Sequence, residues 1–375
     1  MKTLTIISHT EHYKDNNGQI VGLGSTVTEI NNLVEVFDHI IHVAMLHNVV
    51  PPPSSLPYTS DKITFVALPT VGGNSLKNKL KIIANAPKML KIVKQNVKKT
   101  DYFQFRAPTG IGVFVIPYLV LFSSKKGWFK YAGNWKQKNA PKSYGFQRWL
   151  LKNQKRKVTI NGKWPNQPKQ CLTFENPCIT NQELKEGRDT IAEKSIDGKF
   201  EFCFVGRLEE EKGLDLLIEA FKSLPKLEKQ MVKSIHIVGN GHHKKDYIAK
   251  AKETDVNFKF YGYLPRKEVQ KVYCKSHCII LPSASEGFPK VISEAMNYGC
   301  LPIVSNISSI DNYIINGKNG FLLEQISSES IVKSVHKVLS LSATEYCQMI
   351  KHKRDNLLKF TYSYYNKRIL KEIID

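Results

Sequence analysis

Residues 200–221 read FEFCFVGRLEEEKGLDLLIEAF. Six residues dominated by phenylalanine and valine stop at a glycine. A charged turn follows, and the chain then enters a run with leucine, isoleucine and phenylalanine at helical spacing. A short, almost wholly apolar strand, a sharp turn and an amphipathic helix make up half of a parallel βαβ unit, because only a strand covered on both faces reads as continuously hydrophobic.

The pattern repeats downstream. SIHIVGNG, FKFYGYL, HCIILP, LPIVS and GFLL are strand-like runs separated by helical ones, so the second half of the chain is α/β with a mostly parallel sheet. Upstream, residues 4–8 read as a strand, followed by a polar, glycine-rich loop ending GLGST and a helix over 27–37. Thr26 and Glu29 form a T-x-x-E capping box there, and the next strand spans 39–45. This is a second doubly wound domain. The polar stretch 179–199 between them marks the junction. The division is 1–185 for the first domain, 186–355 for the second and 356–375 for a terminal helix that returns to the first.

At 375 residues the chain exceeds one comfortable core, in agreement with two domains. Its formal net charge of +22 predicts an anionic partner: nucleic acid, a phosphorylated substrate or an acidic membrane face. No helix-turn-helix, finger or RNA-recognition signature accompanies the charge, which argues against nucleic acid. Residues 76–99 form a basic amphipathic stretch in which Pro87 breaks or begins a helix, read first as a solvated face over a core stripe and second as a membrane-surface or partner-binding element. Residues 123–164 interleave lysine and arginine with Trp128, Tyr131, Trp135, Tyr144, Phe146 and Trp149, a mixture suited to nucleic acid or to a carbohydrate and lipid-headgroup surface. The run GIGVFVIPYLVLFSS at 110–124 is too short to cross a bilayer and reads first as a buried helix, with an interfacial segment as the alternative. The opening run is too short and too soon interrupted for a signal peptide, and the seven scattered cysteines read as reduced thiols of a cytosolic protein.

Two constellations carry chemistry. In the first, Gly206 ends a strand, Arg207 stands at its carboxyl edge and Lys212 immediately precedes a helix. Ligands of open α/β sheets collect at that edge, and two cations there suit a diphosphate. The alternative is a solvated loop whose charges are balanced by Glu209, Glu210 and Glu211. In the second, SASEGFPKVISEAMNYGC places Pro289 at N1 and Gly299 at C′ of a helix. The Gly287 and Phe288 amides then lie at its positive end, with Glu286 before it and Glu294 about 7–8 Å along it. A carboxylate grips a vicinal diol, so Glu294 is a candidate for ribose and Glu286 for a sugar. A capping residue and a solvated helix position are the alternatives for these two.

Together G-R-L-x-x-x-K-G at 206–213, V-G-x-G at 238–241, the Glu286 and Glu294 pair and NGKNGFLL at 316–323 resemble family four of the retaining glycosyltransferases, the glycosyl transferases group 1. The resemblance covers 200–323 and implies the GT-B fold: two Rossmann-like α/β domains facing a central cleft. It implies a retaining hexosyl transfer from a UDP- or GDP-sugar to a glycan or lipid-linked acceptor in cell-surface polysaccharide or lipopolysaccharide synthesis. No cofactor and no metal are expected, since the chain has no D-x-D. Arg207 and Lys212 become the diphosphate clamp, Glu294 the ribose anchor and Glu286 the sugar ligand. Gly206, Gly239, Gly287, Phe288, Pro289, Lys290 and Val291 complete the donor site, with Gly24 of a glycine loop opposite. Where the family has a further glycine after Glu-Gly-Phe, Pro289 stands, which removes one amide donor. Many members carry a histidine where YFQFRAP has Arg106, a candidate catalytic residue here; His9 and His12, in the first loop, are alternatives. The expected location is cytoplasmic and peripheral on an anionic membrane. A sugar-nucleotide epimerase on the same fold and a basic nucleic-acid-binding protein are the competing readings.

Overall fold

The computed structural model describes residues 1–72, 76–137 and 139–375, without the side chains of residues 76–79. Contacts divide the chain into one unit of Met1–Asn176 with Tyr362–Asp375 and another of Pro177–Thr361.

The first unit runs β1 (Thr3–Lys14), β2 (Ile20–Leu23), α1 (Gly24–Leu33), β3 (His39–Leu46), β4 (Ser55–Pro57), β5 (Ile63–Leu68), α2 (Leu76–Lys98), β6 (Tyr102–Ala107), α3 (Gly112–Leu121), β7 (Lys126–Tyr131), α4 (Lys142–Lys152), β8 (Val158–Ile160) and β9 (Cys171–Thr173). Strands β5, β3, β1, β6, β7, β8 and β9 pair in parallel in that order, while β2 folds back antiparallel on the end of β1 and carries β4. Two apolar layers sandwich the sheet. Met89 and Val93 of α2, Val115 and Leu119 of α3 and Leu151 of α4 pack with Phe103, Phe105 and Phe129 on one face. Ile30 and Leu33 of α1 pack with Trp128, Tyr365 and Ile369 on the other.

Several expectations are corrected here. The polar loop after residue 8 is strand: β1 continues to Lys14 with an irregularity between Ile7 and Glu11, because β2 supplies it with a hairpin partner. Helix α1 starts at Gly24 with no side-chain cap, so Thr26 and Glu29 form no capping box. Glu29 is instead buried beneath two cations. Pro87 lies inside a continuous α2. Trp128, Tyr131 and Trp135 are core residues, while Phe146 and Trp149 remain exposed.

The second unit runs α5 (Asn181–Glu193), β10 (Phe200–Val205), α6 (Leu214–Ser223), α7 (Lys226–Met231), β11 (Val232–Val238), α8 (Lys244–Lys252), β12 (Phe258–Gly262), α9 (Arg266–Lys275), β13 (Cys278–Leu281), α10 (Lys290–Asn297), β14 (Leu301–Ser305), β15 (Phe321–Leu323), α11 (Ser328–Leu339) and α12 (Ala343–Lys351). All six strands are parallel in the order β12-β11-β10-β13-β14-β15. Every residue of β10 is buried, with Phe202 and Phe204 in one layer and Cys203 and Val205 in the other, as the period of two requires.

The stretch 179–199, expected as a junction, holds α5, and the units divide at 176 instead. Thr180 Oγ1 accepts from the Glu183 amide while the Glu183 carboxylate accepts from the Thr180 amide, so a reciprocal cap starts a helix in a polar sequence. The chain returns at Tyr362, where α13 (Tyr362–Arg368) joins the first unit. Asn366 donates to Asn32 O at 2.8 Å, and Arg368 stacks 3.9 Å above the Phe174 ring.

Candidate functional site

The strand order of the second unit places its candidate site residues. From β10 the chain moves outward to β11 and β12, then returns to β13 on the other side of β10 and proceeds to β14 and β15. Between β10 and β13 the connections therefore diverge, and the loops leaving their carboxyl ends open a crevice. The loop at 206–213 leaves one strand and that at 282–289 the other. They are tied by the Ala284 amide, which donates to Glu211 O at 2.8 Å.

Glycine is required where these loops touch. Gly239 has φ +143° and a Cβ there would lie 1.8 Å from Gly206 O; Gly213 has φ +73° and its Cβ would lie 2.5 Å from Pro282 O. The Gly206 amide donates to Val238 O at 3.0 Å and the Gly239 amide to Gly262 O at 2.8 Å. Gly206 and Gly239 thus serve by close approach of backbones, their N–H groups being committed to the loops themselves.

Lys212 and Glu286, one from each loop, form an ion pair across this crevice, with Ser283 Oγ donating to the same Glu286 Oε1 at 3.0 Å. Both side chains are mostly withdrawn from water, at 17% and 14% exposure. Arg207 points out, 74% exposed, and pairs with Glu209 at 2.7 Å. It is an unburied cation at the strand's edge.

Glu294, on the second turn of α10, accepts from Arg266 Nη1 at 3.1 Å. Arg266 opens α9 and also grips Glu183 with two donors, at 2.5 and 2.7 Å. Burial pushes the Glu183 carboxyl up, but the Arg266 guanidinium and the Thr180 cap outweigh it and hold it below the usual range. A cavity of 160 Å³ lies beside this arginine, lined by Val205, Val269, Tyr273, Glu294 and Tyr298. Glu183 and Arg266 were not singled out from sequence. The T-x-x-E at 180–183 was a legible capping signal, whereas nothing in the spacing ties Arg266 to Glu294.

Pro289 is the N-cap of α10, one position before the expected N1, and Gly299 takes its C′ place with φ +77°. The Phe288 ring is buried against Tyr313 and Phe360 at 4.9 and 5.0 Å, so only its backbone faces the helix end. Val291 packs on the core, and Lys290 O accepts from Cys178 Sγ.

Arg106 and Gly24 belong to the first unit. Arg106 Nη2 donates to Glu29 Oε1 at 3.0 Å and its Nε to Gln104 at 2.9 Å, while Lys130 reaches the same Glu29 oxygen at 2.6 Å. This is a buried triad within the fold. Gly24 begins α1, its amide donating to Ser54 O at 3.1 Å.

The two histidines assigned to the first loop lie in β1. His12 Nδ1 donates to Thr10 O, which fixes the direction of a chain: Tyr58 OH donates to His12 Nε2 at 2.8 Å, His42 Nδ1 to Tyr58 at 2.5 Å, and Ser8 Oγ to His42 Nε2 at 2.8 Å. Burial lowers His12 to about 4, keeping the relay neutral. His9 donates to Val71 O at 2.9 Å and is likewise held below its usual value by burial. It lines an open cleft of 500 Å³ at the carboxyl ends of β1, β3 and β5, with Glu11, His47, Thr70 and Lys81.

Two Rossmann-like units, each built on a mainly parallel sheet, are the architecture of the GT-B class. In keeping with that, residues 188–356, all within the second unit, match the family described as Glycosyl transferases group 1. A glycosyltransferase of Haemophilus influenzae is 34% identical over 139 residues, 36% of this chain and 38% of that protein. The lipopolysaccharide 1,2-N-acetylglucosaminetransferase of Salmonella typhimurium is 27% identical over 174 residues, 44% of each. The chain thus spans well under two thirds of the curated relatives it matches. Over nearly the whole chain the fold superposes on sucrose-phosphate synthase of Thermosynechococcus elongatus, with a TM-score of 0.74 at 15% identity and coverage of 99% and 98%. It also superposes on Anabaena HepE in complex with UDP, with a TM-score of 0.70 at 14% identity and 99% coverage of each chain.

Proposed function

We propose that this protein transfers a hexosyl unit from a nucleotide diphosphate sugar to a glycan or lipid-linked acceptor, with retention at the anomeric carbon and without a metal. The observation that carries this reading is the Lys212–Glu286 pair at the switch point of the group 1 domain. HepE has been crystallised with UDP and with UDP-glucose on the same fold, which supports a nucleotide sugar as donor. The Salmonella relative supports an acceptor in cell-surface polysaccharide synthesis.

In this mechanism the diphosphate displaces Glu286 as the partner of Lys212. Arg207, unburied at the strand edge, swings in as the second cation. Charge that develops on the leaving phosphate is then met by fixed positive groups in a partly dry crevice, where such interactions are strongest. Released from Lys212, Glu286 accepts from a sugar hydroxyl, and Glu294, steadied by Arg266, accepts from the ribose diol. The bond between the anomeric carbon and the phosphate oxygen breaks as the acceptor oxygen bonds to the same face, and the acceptor's proton passes to the leaving phosphate oxygen. The first unit is assigned the acceptor. Two cations take the part that a metal would otherwise play.

The test is saturation-transfer NMR of the protein against UDP- and GDP-sugars, followed by turnover of the binder with and without chelator. Nucleotide release and sugar transfer unaffected by chelation are expected. Abolition by chelator would refute metal independence, and recovery of a rearranged free nucleotide sugar in place of transfer would assign an epimerase.

A further inference from the structure

Residues 76–157 hold 20 of the 55 lysines and arginines and one of the 33 acidic residues, Asp101. This segment therefore carries 19 of the 22 units of net positive charge, and the rest of the chain is close to neutral. The segment is α2, α3, α4 and the strands between them. Its three helices cover one face of the first sheet, since their inward side chains share one core with Phe103, Phe105 and Phe129.

That layer also exposes apolar side chains among its lysines. Leu121 and Phe122 at the end of α3 are 69% and 77% exposed, and Trp149 on α4 is 59% exposed. Arg156, just beyond α4, donates to Val120 O and Ser123 O, which bracket Leu121 and Phe122, and Phe146 stacks on Trp149 at 6.1 Å. A helix layer that puts leucine, phenylalanine and tryptophan into solvent within a field of one sign matches a bilayer with anionic headgroups. The lysines meet the headgroups and the apolar tips enter the acyl boundary. Nucleic acid matches less well, since Leu121 offers no stacking surface.

We propose that the α2–α4 face of the first unit docks on an anionic lipid bilayer. Docking of this kind would bring a lipid-linked acceptor to the first unit, and for that purpose alone it rests on the transferase reading. The charge and the exposed apolar tips stand without it.

The test is flotation of the full chain with vesicles of phosphatidylcholine alone and with added phosphatidylglycerol. The expected result is flotation with the anionic vesicles only, lost at high salt. Lys152→Gln with Lys155→Gln lowers partitioning about 25-fold, at about fivefold per lysine near the surface. Leu121→Ser with Phe122→Ser lowers it by about tenfold or more with an unchanged circular dichroism spectrum, because both positions are exposed. Unchanged flotation of both variants, or equal binding to neutral vesicles, overturns the proposal. So does binding of a single-stranded oligonucleotide at physiological salt that both variants weaken while vesicles are ignored. Flotation needs no sugar donor, so a protein that floats and does not transfer sinks the transferase reading alone.

Discussion

Lys212→Ala is the most direct probe of the second unit's chemistry. A fixed cation facing charge that develops in the transition state contributes about 2.7–4 kcal/mol, so its removal lowers kcat by about 10²–10³. The fold suffers less. Truncation leaves the Glu286 carboxylate, 14% exposed, with Ser283 Oγ as its remaining partner in the crevice. A mostly buried charge stripped of one partner costs about 2 kcal/mol, which for a unit of this size lowers Tm by about 6 °C. Glu286→Gln added to Lys212→Ala removes the orphaned charge, so Tm recovers while turnover does not. The assay is nucleotide release from the preferred donor, with circular dichroism melting of all three variants. Turnover of Lys212→Ala within about threefold of the parent would refute the clamp, and recovery of turnover in the double variant would show that the loss was structural.

Arg266→Ala removes the donor that steadies Glu294 and leaves Glu183 without its guanidinium. It is expected to raise the donor KM about tenfold with a smaller change in kcat, because the proposed ribose contact would be made in the ground state as well as the transition state; an equal fall in kcat alone would count against ribose binding. Gly239→Ala is expected to yield little folded protein, since its Cβ would lie 1.8 Å from Gly206 O at φ +143°, and normal expression with a parental Tm would contradict the loop packing. For Glu201, burial raises the carboxyl but the Lys233 and His236 contacts outweigh it and hold the group at about 2. A carboxyl depressed in the folded state stabilises at pH above the unfolded value near 4.5. That stability is lost as pH falls towards 2. Glu201→Gln should therefore flatten the acid limb of the stability profile between those values, as followed by denaturant midpoints, and an unchanged acid limb would exclude Glu201 as its source.

The second unit was legible in the sequence almost strand for strand, because a strand buried on both faces must be apolar throughout. Phe200–Val205 and Cys278–Leu281 are such strands, and nothing else in a polar surround imitates them. Arg207, Lys212, Glu286 and Glu294 were nameable for a related reason, since each lies at a strand's carboxyl end or the helix that follows, and short motifs encode such places. The first unit was less legible. Thr26 and Glu29 have the spacing of a cap, yet Glu29 lies under Arg106 and Lys130, which come from β6 and β7. Local pattern carries no information about a partner 77 or 101 residues away.

By itself, then, the sequence determined what depends on near neighbours along the chain: the alternation of strand and helix, the glycine turns, and the order of cation and carboxylate motifs. The pairing of Lys212 with Glu286, the hold of Arg266 on Glu294 and Glu183, the neutral relay from Ser8 to His12 and the return of Tyr362–Asp375 to the first unit were decided only by tertiary structure. These join residues far apart in sequence, and which distant charge meets which is set by sheet order. Burial then makes each such meeting obligatory, because an ionised group withdrawn from water must find an opposite charge or a hydrogen bond.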